Sequence, residues 1–111
     1  MPKLRENFRS YFARTGVAAI VFPTTMTTAA VIGQNDVIIG GQKVSFAAAM
    51  SRNIAPGSTA GLPGVVLPAG LTSAGLPVSL EFDGPSGTDR ELLALGLSAE
   101  SVLGRLPPPK I

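Results

Sequence analysis

The chain has 111 residues, 45% of them hydrophobic and only 14% charged. That size suits one domain or part of one, and the apolar content excludes a disordered tail. A net charge of +2, with the bases scattered and no Trp, gives no footprint for nucleic acid. The sequence contains no Cys and no His. Disulfides, thiolate chemistry and His-based catalytic triads are therefore excluded, along with most transition-metal sites. Any chemistry must use Lys, carboxylates, Ser, Thr or Tyr.

Residues 2–15 predict an amphipathic helix. Leu4, Phe8, Tyr11 and Phe12 recur at helical spacing, while Arg5, Glu6, Arg9 and Arg14 fall mainly elsewhere. Pro2 suits a first turn and Gly16 an exit. The continuous apolar run from Val17 to Phe22 reads as a strand buried on both faces, stopped by Pro23. Residues 24–42 read as a long irregular loop with a short β segment at Val37–Ile39. A loop of that length in an apolar chain is expected to be functional or covered. A short Ala-rich helix, capped by Ser45, is expected to reach Arg52. Residues 55–63 read as a turn-rich crossing.

Two strands are then expected, Gly64–Pro68 and Leu76–Phe82, joined as an antiparallel hairpin by the connection at 71–75. In the second, Val78, Leu80 and Phe82 share one face, and Glu81 and Asp83 share the other, which is expected to be wet. Residues 89–103 read as a closing helix with a capping box from Thr88 to Glu91, ended by Gly104 and the prolines at 107–109. The whole of 1–111 reads as a single unit. Its fold class is α/β: a partial mixed β-sheet of about three strands including the hairpin, flanked by two or three helices. So few helices cannot cover strands that are apolar on both faces, so the chain reads as a fragment of a larger α/β/α layer.

The segment from Asn53 to Thr72, NIAPGSTAGLPGVVLPAGLT, resembles the stretch of amidase-signature enzymes that runs through a Gly-Leu-Pro-Gly turn into a Leu-Pro-Ala-Gly step. Residues 75–85, GLPVSLEFDGP, look like the strand that follows, and residues 89–96 like the start of the closing helix. Upstream, Val17 to Pro23 followed by Thr24 and Thr25 is similar to a strand of that family ending in a Pro-Thr step. The resemblance spans essentially the whole chain and identifies it as the C-terminal segment of an amidase-signature hydrolase. Glu81 to Pro85 and the ending from Leu103 to Pro107 look most like the mandelamide and indoleacetamide hydrolase type.

The resemblance implies amide hydrolysis by a Lys–Ser–Ser triad through an acyl-enzyme, with no cofactor and no metal. No Gly-Ser-Ser-Gly-Gly stretch occurs here, and Lys3, Lys43 and Lys110 sit beside no Ser cluster. The catalytic set is therefore empty. Ser58 reads as turn chemistry, Lys43 as a solvated loop residue, and the Glu81/Asp83 pair as surface carboxylates. By the match, an acyl-pocket wall would come from Thr24, Thr25 and Met26, from Ala48, Met50 and Ser51, and from Asn53, Ile54 and Ala55. Small and thioether side chains suit an aryl or aliphatic acyl group. Two functions stay open: an amidase fragment or subunit that is silent alone, and a structural remnant that self-associates. The expected partner is a second copy, most simply in a twofold dimer, or a missing N-terminal amidase part. No nucleic-acid or membrane partner is expected, and a cytoplasmic location is the default.

Overall fold

The computed structural model describes residues 2–111. In chain order the elements are α1 (Pro2–Thr15), β1 (Ile20–Pro23), β2 (Asp36–Ile39), β3 (Gln42–Ser45), α2 (Phe46–Ser51), α3 (Ala55–Ala60), β4 (Gly64–Leu71), β5 (Pro77–Asp83) and α4 (Asp89–Leu103). A three-stranded sheet has the order β1-β5-β4, and β2-β3 form a separate ribbon. Every pairing is antiparallel.

Helix α1 follows its apolar spacing. Phe12 is buried, Leu4 and Phe8 are half-buried, and the arginines are exposed, Arg9 pairing with Glu6. Gly16 takes φ 69°, in the left-handed region that glycine enters without strain, and its N–H closes on Phe12 O at 2.9 Å. The strand that follows starts at Ile20 and not at Val17. Ile20 already faces Asp83, the last residue of β5. Beyond it, Gly84 donates to Pro63 O, and Pro85 has no N–H to offer, so Val17 to Ala19 find no ladder to join. Nor is this strand buried on both faces. It lies at a sheet edge, and Val21 is 56% exposed.

The long loop contains a hairpin that the sequence reading had only as one short segment. Asp36 pairs with Ser45 and Ile39 with Gln42 around Gly40 and Gly41, both at positive φ. Ser45 caps α2 as expected, its hydroxyl accepting from Ala48 N at 3.2 Å. The crossing at 55–63 is not all turn. Pro56 fits a first helical turn, residues 55–60 form α3, and Gly61 ends it in the left-handed conformation.

Strands β4 and β5 form the expected hairpin, with an irregularity between Pro68 and Gly70. Pro68 is tolerated because β4 is the other edge. Helix α4 packs on β4, with Gly96 against Val65, where a Cβ would lie 3.4 Å from Val65 Cγ2, an ordinary van der Waals contact. The capping box does not form. The Thr88 hydroxyl donates to Pro85 O at 2.7 Å, so it serves the preceding turn and accepts nothing from the helix. Asp89 and Glu91 remain in the first turn, where the helix dipole favours carboxylates. The buried apolar set is small: Phe12, Ala49, Ala60 and Leu92.

Candidate functional site

Antiparallel pairing of β1 with β5 sets the site. It brings Pro23 opposite Leu80, and the next residue continues the ladder, Thr24 N donating to Ser79 O at 3.2 Å. The chain after β1 then turns across the start of β5. Thr25 Oγ1 bonds Thr27 O at 2.7 Å, and Met26 N reaches Ala49 O of α2 at 3.5 Å. The result is a cleft of about 370 Å³ between residues 23–29, Met50 and residues 77–79. Its wall is small and apolar apart from hydroxyls. Thr24 Oγ1 is buried and has no hydrogen-bond partner.

Of the residues expected at an acyl pocket, Thr24, Thr25, Met26 and Met50 line this cleft together. Asn53 lies in a neighbouring one and donates its Nδ2 to Pro23 O at 2.9 Å. Ala48 and Ser51 are exposed on α2, where the Ser51 hydroxyl donates back to Ala47 O at 2.9 Å. Ile54 and Ala55 open α3 and line neither cleft. Thr27, Thr28 and Pro77 to Ser79 belong to the wall and were missed. The signal for the last three was the β1–β5 pairing, which a hairpin reading of β4 and β5 does not reveal.

The neighbouring cleft, about 410 Å³, opens between α1, β1 and α3. Asp83, only 3% exposed, is among its lining residues. The expectation of a wet carboxylate face fails at Asp83, because Gly57 of α3 packs directly on its carboxyl, while Glu81 on the same face stays half-buried. Burial pushes both carboxyls above the usual range. Glu81 rises to about 7, because of burial first and then because of the neighbouring Asp83 charge. The two carboxyls are close enough that each affects the protonation of the other.

The other residues considered for chemistry are apart from both clefts. Lys43 makes an exposed ion pair with Asp36 at 3.4 Å, and Ser58 sits exposed in α3. No group of metal-ligating side chains occurs among the described residues. No helix among them is long and apolar enough to cross a membrane.

This arrangement, an antiparallel three-stranded sheet with its Gly-Leu-Pro turns and closing helix, is a piece of the amidase α/β fold. The amidase family model matches residues 1–93, and the chain belongs to the amidase family. Over 103 residues it is 43% identical to the indoleacetamide hydrolase of Agrobacterium vitis, covering 92% of this chain and 22% of that protein. Over 109 residues it is 41% identical to the mandelamide hydrolase of Pseudomonas putida, covering 97% and 20%. The crystal structure of an amidase superposes with a TM-score of 0.76 at 30% identity, over 90% of this chain and 23% of the other. The chain thus spans about a fifth of the length of the curated relatives it matches, and the match falls in their C-terminal part.

Proposed function

We propose that residues 1–111 act as one unit that walls the acyl pocket of an arylacetamide-type amidase, in the cytoplasm. The Lys–Ser–Ser triad lies on an N-terminal part, so this chain hydrolyses no amide by itself. The observation that carries this reading is the cleft in which Thr24, Thr25, Met26 and Met50 converge with Val78. Its wall of methyl, thioether and hydroxyl groups suits an aryl acyl group and offers no base strong enough to activate a nucleophile. The names of the indoleacetamide and mandelamide hydrolases point to the same substrate class.

A second reading, a remnant that self-associates without amidase chemistry, draws support from the outer side of α4, where Leu97 is 71% and Val102 85% exposed. The two readings part on complementation. Purified chain is expected to leave phenylacetamide and indole-3-acetamide intact. Mixed with the N-terminal portion of the Pseudomonas putida mandelamide hydrolase, it is expected to restore turnover. Turnover by the isolated chain that disappears in Ser58→Ala or Lys43→Ala overturns the reading. A mixture that stays inactive favours the remnant.

A further inference from the structure

We propose that the cleft between α1, β1 and α3 is a binding site for an arylalkyl ammonium, with Asp83 as its anionic anchor. The anchor is built in. Ladder pairing sets Asp83 between Ile20 of β1 and Gly64 of β4, and Gly57 of α3 lies over it. Both glycines are needed. A Cβ at Gly57 would overlap Asp83 Oδ2, and one at Gly64 would come within 2.7 Å of Oδ1. The carboxylate is therefore wedged into the wall of a 410 Å³ cleft by side chains that are absent.

Among the described residues, no base forms an ion pair with Asp83: the ion pairs are Glu6–Arg9, Asp36–Lys43 and Glu100–Arg105. The titratable side chain next to it on the same face of β5 is Glu81, another acid. A carboxylate that is 97% buried without a counter-charge is unfavourable, and a cation in the cleft relieves that cost.

The rest of the lining selects the ligand. Asn53 lines the cleft as well, held by the bond from its Nδ2 to Pro23 O. A carboxylate accepts from a group that only donates, and an ammonium has three N–H donors and no acceptor. Phe8, Ile20, Phe22 and Pro56 make the remaining wall apolar, which suits an aryl body, and the two rings add attraction for the cation. Arg52 is the one cation in the lining, exposed on the rim. Its charge works against a cation placed beside it, so its removal favours the ligand. This site shares only Pro23 with the acyl-pocket cleft, and it does not depend on the amidase reading.

The test is a titration of the full chain with phenethylammonium chloride at pH 8, followed by amide chemical shifts. Saturable shifts are expected at Gly57, Asn53 and Asp83. The neutral analogue 2-phenylethanol is expected to bind roughly tenfold more weakly, the usual effect of a charge-assisted hydrogen bond. Asp83→Asn is expected to lose a similar factor, and Arg52→Gln to keep or improve binding. Equal binding of the alcohol, unchanged affinity in a folded Asp83→Asn chain, or no saturable binding overturns the proposal. Should Asp83→Asn fail to fold, the ammonium-against-alcohol comparison on the unaltered chain decides alone.

Discussion

The acid pair in β5 ties the stability of the chain to pH, and the direction is fixed by its burial. Glu81 has its carboxyl raised from 4.5 to about 7, and Asp83 is raised as well. A carboxyl whose value is higher in the fold than in the unfolded chain favours folding when protonated. Its contribution is full below about 4.5 and is lost as the pH climbs through about 7. At full effect that displacement of Glu81 corresponds to about 3 kcal/mol, and its partial exposure reduces the expectation to about 1–2 kcal/mol. The groups facing the pair leave this sign intact. Phe8 of α1, Ile20 and Phe22 of β1, Gly57 of α3, and Gly64 and Val66 of β4 are uncharged, and Arg52 on the cleft rim stays charged throughout. The sequence has no His and no Cys to titrate in the same window, which leaves the α-amino group as the other candidate there. Urea unfolding followed by circular dichroism at pH 5, 6, 7 and 8 is the assay. The midpoint is expected to fall across that range, and Glu81→Gln is expected to flatten the fall and to be the more stable chain at pH 8. A midpoint that rises from pH 5 to 8, or a Glu81→Gln chain less stable than the parent at pH 8, refutes the argument.

Gly57→Ala places a methyl on Asp83 and is expected to cost about 1–3 kcal/mol by overpacking. In an Asp83→Ala background the same change should cost much less, and equal costs in the two backgrounds would remove the contact from the explanation. Association is expected from the apolar side chains left in solvent, among them Val21 on the β1 edge and Leu93, Leu97 and Val102 on α4. Light scattering at micromolar concentration should give more than a monomer mass for the isolated chain, and a well-folded monomer would show that this surface tolerates water.

What could be read from the residues was local, and what escaped depended on neighbours far away in the chain. Helix α1 and helix α4 follow their periodic apolar positions, and the β4–β5 hairpin follows its turn, because each is specified within a short window. The cap at Ser45 was legible for the same reason. Thr88 was not, although its motif has the right letters, because Pro85 three residues earlier offers a carbonyl that takes the hydroxyl instead. The β2–β3 ribbon was half seen, since Val37 to Ile39 has strand character and Gln42 to Ser45 has little.

The candidate site divides along the same line. Thr24 to Met26 and Met50 follow from local resemblance, but their meeting with Val78 and Ser79 requires β1 to lie beside β5, across more than half the chain. That same pairing places Asp83 between β1 and β4, and α3 closes over it there. Alternation alone puts Glu81 and Asp83 on one side of a strand; only the packing of α3, far away in the chain, decides that Gly57 closes this side over Asp83. The acid pair is thus the feature that sequence reasoning read in the opposite sense. It is also where local rule and global fold conflict most, a place where functional or strained sites are to be looked for. A wet pair would carry no ligand argument and no pH slope. The buried one carries both, and each depends on the same register of three strands.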